Sequence, residues 1–221
     1  MNRLAVFDCD GTLVDSQANI LRAMEACFER HRLDPPCHHA TRRIVGLSLV
    51  EAMQALLPEA DAALHTSLAD DYKTAFQRLR AESALLEEPL YAGVVEALTE
   101  LEARGWLLGV ATGKSDRGLN LCLTHHGIAD RFVTLQTADR HPSKPHPAML
   151  EAAMAEAGAA PGTTLMIGDT RFDMAMGVAA GVRAIGVDWG YHDPEELYAA
   201  GAVAVIDRFD TLFALLEETP A

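Results

Sequence analysis

The sequence carries Asp8-Cys9-Asp10-Gly11-Thr12 directly behind an apolar run at residues 4–7. Two carboxylates flanking a single residue at the end of a buried segment require an explanation, because a buried charge costs several kcal/mol unless it is paired or metal-bound. A solvated Asp-Gly turn, or helix capping by Asp10 or Thr12, is the simpler alternative. A second acidic group, Gly168-Asp169-Thr170-Arg171-Phe172-Asp173, follows the apolar run 165–167. Asp169 and Asp173 could each cap the next helix. If Asp8, Asp10, Asp169 and Asp173 meet at one rim, however, four carboxylates repel unless a cation lies among them, and a hard oxygen set of this kind suits Mg²⁺. Two further segments supply the complement. Thr112-Gly113-Lys114-Ser115 offers a hydroxyl and a loop of backbone N–H groups, and Lys144 sits in the proline-stiffened Pro142-Ser143-Lys144-Pro145-His146-Pro147.

The elements that must position these groups follow from hydrophobic patterning. Residues 4–7, 107–111, 132–135, 165–167, 184–187 and, more weakly, 202–206 are short unbroken apolar runs, the pattern of parallel strands covered on both faces. Helical patterns at 94–104, 117–126, 148–157 and 174–180 lie between them and end near Gly105, Gly127, Gly158 and Gly181. This alternation predicts a doubly wound, Rossmann-like α/β sheet with its chemistry at the C-terminal ends of the strands. Residues 16–86 break the alternation. Ile20, Leu21, Met24, Cys27 and Phe28, then Leu49, Ala52, Met53, Leu56 and Leu57, recur at helical spacing with no convincing strand. The stretch is too long for a simple crossover, so we expect an inserted helical cap domain at 16–86. The core would then comprise 1–15 and 87–221, with hinges near Asp15 and Glu87-Glu88-Pro89.

Composition limits the partners. The 221 residues are 49% hydrophobic and 23% charged, ordinary for a globular protein, and the net charge of −14 argues against nucleic-acid binding, which needs a basic face. A small anionic substrate remains compatible, since a metal ion and a few placed cations can make one pocket positive. Cys9, Cys27, Cys37 and Cys122 form no CxxC pair and no disulfide-like spacing. With no secretory signal pattern and no membrane-length apolar stretch, the expectation is a cytoplasmic protein that binds no membrane. Nothing in the sequence fixes an oligomeric state.

Taken in order, Asp8-Cys9-Asp10-Gly11-Thr12, Thr112, Lys144 and Gly168-Asp169 with Asp173 resemble the motifs of the haloacid dehalogenase superfamily of phosphatases, and the helical insertion resembles that family's small α-helical cap. The resemblance implies that Asp8 attacks phosphorus to form an aspartyl-phosphate, while Asp10 protonates the leaving oxygen and then activates water. It implies Mg²⁺ held by Asp8, the carbonyl of Asp10 and Asp169. Thr112, Gly113 and Lys144 would bind the phosphoryl group, and Asp173 would reach the metal or orient Lys144. Within the family the chain is most similar to phosphoglycolate phosphatases, which makes 2-phosphoglycolate a candidate substrate and Arg43 a candidate partner for its carboxylate. Pyrophosphatases and β-phosphoglucomutase-like enzymes of the same fold are the alternatives. A phosphate-responsive signalling protein phosphorylated on Asp8 is the alternative of another class. Gly109 to Ser115 imitates a phosphate-binding P-loop but is one residue short of its spacing.

Overall fold

The computed structural model describes residues 1–82 and 84–217. Six strands form one parallel sheet: β1 (Asn2–Phe7), β2 (Trp106–Thr112), β3 (Phe132–Thr137), β4 (Ala159–Gly168), β5 (Arg183–Val187) and β6 (Ala204–Ile206). Their order across the sheet is β3-β2-β1-β4-β5-β6. The order reverses between β1 and β4, and the crevice outside the C-terminal ends of such a pair is where ligands bind in open α/β sheets.

β1 shows why the sheet must be covered twice. Ala5 and Phe7 pack into one apolar cluster with α5 (Val94–Ala103), α6 (Asp116–His125) and α10 (Phe209–Glu217). Leu4 and Val6 pack into the opposite cluster with α7 (Ala148–Ala157) and α8 (Arg171–Ala179). A short α9 (Pro194–Ala199) closes the β5–β6 edge through Leu197. The six strands and four core helices expected from patterning are all present. Two boundaries differ by three residues or more. β4 begins at Ala159 because Asn2 pairs with Ala159 ahead of a register shift, so the apolar run 165–167 marks only its buried end. α8 begins three residues early because Thr170 and Asp173 form a reciprocal capping box.

Between β1 and α5 the chain forms α1 (Gln17–Arg30), α2 (His38–Arg42), α3 (Leu49–Leu56) and α4 (Ala62–Ala81). α1, α3 and α4 share an apolar cluster of their own, built on Met24, Cys27, Phe28, Met53 and Leu68. The two chain crossings are joined to each other. Asp15 N–H donates to Pro89 O (2.9 Å) and Tyr91 N–H to Leu13 O (3.0 Å). The Asn19 side chain donates to Leu86 O and accepts from Leu86 N–H, both at 2.9 Å. No helix among the described residues is long and apolar enough to cross a membrane.

Met53 is fully buried at the centre of the insertion's cluster. Met53→Ala is expected to lower the unfolding free energy by about 2–5 kcal/mol, the range for truncating a large apolar side chain in a packed core. Chemical denaturation monitored by circular dichroism measures the change, and a loss below 1 kcal/mol would mean that this cluster is not close-packed.

Candidate active site

β1 and β4 run side by side, Phe7 opposite Ile167, so the residues that follow each strand emerge at a common rim. Asp8 and Asp169 are therefore neighbours, and one carboxylate oxygen from each of Asp8, Asp169 and Asp173 lies within 4.8 Å of the others. All three are buried. Lys144 is 1% exposed, and its ammonium sits 2.9 Å from Asp8 Oδ1 and 2.6 Å from Asp173 Oδ1. Burial alone would lower the Lys144 pKa, but the two carboxylates outweigh it and keep the ammonium charged.

The three carboxylates are held differently. Asp173 takes three contacts, with Lys144 on Oδ1 and both the N–H (3.0 Å) and hydroxyl (2.6 Å) of Thr170 donating to Oδ2. Asp169 accepts from the Thr12 hydroxyl (2.8 Å) and Tyr191 N–H (2.9 Å). Asp8 Oδ1 accepts from Cys9 N–H (2.7 Å) as well as pairing with Lys144, while its Oδ2 is buried without a partner. Burial raises the Asp8 carboxyl to about 7, against the opposing pull of Lys144, and raises Asp169 as well. Gly11, at φ +83°, follows the Asp8–Asp10 pair, and a β-carbon there would collide with Asp169 Oδ2. The close approach of that backbone to Asp169 is thus open only to glycine.

Three buried carboxylates around one ammonium, with one oxygen unpartnered, fit a hard divalent cation. Asp8, Asp169 and Asp173 each offer an oxygen to such a cation, with Asp173 the most heavily engaged of the three. The Asp10 carboxylate lies apart from this cluster. Its Oδ1 takes the Ser16 hydroxyl and lies 2.7 Å from the Lys114 ammonium.

Asp8, Asp10, Thr112, Gly113 and Lys114 line one end of a cavity of about 840 Å³. Its far wall comes from the insertion: Ile20, Met24, Tyr72 and Phe76, with Lys73 and Arg80 as cations. The loop after α2 lies across the entrance. A β-carbon on Gly113 would come within 2.7 Å of Leu47 O, and Ser48 N–H donates to Ser143 Oγ (2.8 Å). Arg43 is not brought to this cavity. It forms an ion pair with Glu196 of α9 and lines a separate recess with His39, Arg42, Tyr191 and Asp193. The reason is that α2 ends against the core loop, where Arg42 donates to Gly190 O (2.9 Å). Sequence reasoning passed over Lys114, Ser16, Thr170 and Tyr191. Lys114 carries a usable signal, since it stands two residues after the strand-end Thr112. Tyr191 contributes through its backbone N–H to Asp169, which no residue type announces.

The sheet thus presents at its switch point a buried, partly unpartnered carboxylate paired with a buried lysine and next to a second aspartate. Residues 5–187 match the family model for haloacid dehalogenase-like hydrolases, and the chain belongs to that family. It is 36% identical, over 95% of its length and 91% of the other's, to Probable phosphatase IndB of Dickeya dadantii. It is 32% identical to a phosphoglycolate phosphatase of Rhodospirillum rubrum, over 96% of this chain and 90% of that one. Among solved structures, a hydrolase from Pseudomonas syringae superposes with a TM-score of 0.85 at 25% identity, covering 99% of this chain and 100% of the other.

Because burial holds the Asp8 carboxyl near 7, a divalent cation must displace a proton below that pH. Cation affinity is expected to rise from pH 5.5 through pH 7 and to level off about one pH unit above that, with proton release largest on the acid side. Calorimetric titration in two buffers of different ionisation enthalpy measures both quantities. Affinity that stays flat over this range would show that Asp8 is ionised throughout or does not take part.

Proposed function

We propose that the protein is a Mg²⁺-dependent phosphatase of small phosphate monoesters that works through an aspartyl-phosphate on Asp8, with 2-phosphoglycolate as the first candidate substrate. One observation carries the reading: Asp8 is held by Lys144 through Oδ1, has an unpartnered Oδ2, and shares a cavity wall with Asp10 and Thr112. Asp8 and Asp169 would hold the cation, whose charge would offset repulsion between the Asp8 carboxylate and the phosphate. Asp8 attacks phosphorus, and the bond from phosphorus to the leaving oxygen breaks. Asp10 gives its proton to that oxygen, then takes one from the water that attacks phosphorus and frees Asp8. Thr112 and Lys144 bind the equatorial oxygens and stabilise the charge that builds there. Asp173 acts through Lys144, which it anchors.

The substrate candidate rests on the similarity to the Rhodospirillum rubrum phosphoglycolate phosphatase. In this chain the cations facing the cavity from the insertion are Lys73 and Arg80, so a substrate carboxylate is read by α4 rather than by Arg43. We assign Arg43 to holding the insertion, as a moving cap over residues 16–86, against the core through Glu196. The four free cysteines, with Cys37 exposed, support a reducing, cytoplasmic setting.

Hydrolysis of a phosphate panel with Mg²⁺ and with chelator tests the main reading. Activity should disappear on chelation, and Asp8→Asn should leave no phosphoenzyme detectable by mass. Phosphate trapped on any residue other than Asp8 would overturn the mechanism. Pyrophosphate or β-glucose 1-phosphate turned over far better than phosphoglycolate would overturn only the substrate. A long-lived phosphoprotein with no turnover would favour a signalling role.

Arg43→Ala tests the closure assignment. It should lower kcat/KM by a similar factor, about three- to tenfold, on phosphoglycolate and on esters without a carboxylate. A loss confined to phosphoglycolate would return Arg43 to substrate recognition.

A further inference from the structure

We propose that Lys114 is a positioning residue for Asp10, and that it fixes the geometry of proton delivery to the leaving group. This rests on the reading of the site as a phosphatase in which Asp10 serves the leaving oxygen. The Lys114 ammonium lies 2.7 Å from Asp10 Oδ1, and the Ser16 hydroxyl donates to the same atom. Both of these contacts fall on Oδ1, and Asp10 lines the cavity. One oxygen is therefore pinned from two sides on a residue that lines the cavity.

The two pins come from different parts of the molecule. Lys114 follows β2 and is fixed through its own backbone: its N–H donates to Thr112 Oγ1 (3.2 Å) and its carbonyl accepts from Ala138 N–H (3.1 Å). Ser16 stands where the chain leaves for the insertion, with the Tyr191 hydroxyl 3.5 Å from its own. The Lys114 ammonium also lies over the Phe76 ring of α4, 6.0 Å from its centroid. The lysine is only 14% exposed at its side chain, so its stem has little freedom to swing. It thus ties Asp10 to the sheet on one side and touches the insertion on the other. An aspartate held by Ser16 alone could rotate about its side-chain torsions and lose the geometry that proton transfer requires.

The test exploits how much each leaving group needs a proton. Nitrophenolate leaves readily without one, whereas the alkoxides of glycerol phosphate and phosphoglycolate do not. The quantity to read is kcat/KM, which reports only the steps up to departure of the leaving group. Lys114→Met is expected to lower it about ten- to a hundredfold on both alkyl esters and less than threefold on nitrophenyl phosphate. Lys114→Arg should recover part of the loss. In an Asp10→Asn background, Lys114→Met should add little, because two residues acting as a unit are not additive. An equal loss on all three esters would make Lys114 a purely structural residue. A loss on phosphoglycolate alone would make it a binding residue for the substrate carboxylate. Full additivity with Asp10→Asn would likewise overturn the proposal. Wild-type protein inactive on every ester would instead overturn the phosphatase reading, and this inference with it.

Discussion

The site depends on one buried ammonium. Lys144 lies between Asp8 and Asp173 with almost no exposure, and without it three carboxylates would share a pocket screened from water. Removing one partner of such an arrangement leaves uncompensated buried charge, which is far more costly than any surface pair is stabilising. The surrounding contacts serve to keep this geometry. The Thr170–Asp173 capping box fixes the acceptor that anchors Lys144, and the same box starts α8. Helix initiation and active-site electrostatics are thus satisfied by the same few atoms.

The rigidity of the sheet and the openness of the rim have a common origin. β1 is buried on both faces by alternate residues, so its end cannot shift without disturbing two apolar clusters. Asp8 inherits that fixed position, and its N–H is tied to Ile167 O of the neighbouring strand (2.9 Å). The cavity, by contrast, is shared between this fixed rim and helices that carry their own core. The acidic cluster is placed on the part packed on both faces, and the cavity's other wall comes from the part with its own internal packing.

Much of this was legible in the sequence because the relevant signals are local. Unbroken apolar runs ending in Asp8 or Asp169 gave both the strands and the rim, and the glycines behind the helices gave the crossovers. The insertion was visible as a region of helical periodicity without strands, although α4, its longest helix, was not singled out. Its buried stripe of Leu68, Ala69, Ala75 and Leu79 includes two alanines, which weakens the contrast with the charged residues between them. What stayed hidden was pairing at a distance. Arg43 has the right chemistry for a carboxylate, but its partner is Glu196, more than 150 residues away. Lys114 and Asp10 are likewise joined only because β1 and β2 are adjacent. Residue type names what a side chain can do, and topology decides to whom it does it.

The tie between the two crossings of the insertion bears on how such a chain can fold and change. Leu13 to Asp15 runs beside Pro89 to Tyr91, and Asn19 grips the backbone of Leu86, so the helical excursion departs and returns at nearly one point. Topologically it is a very long loop with closed ends. The entropy of closing a loop grows only with the logarithm of its length, so an excursion of this size costs little more than one half as long. The sheet can complete its pairings whatever is threaded through that gate. The gate thereby sets where change is absorbed: the strand pairings of β1 with β2 and β4 involve no residue between its posts.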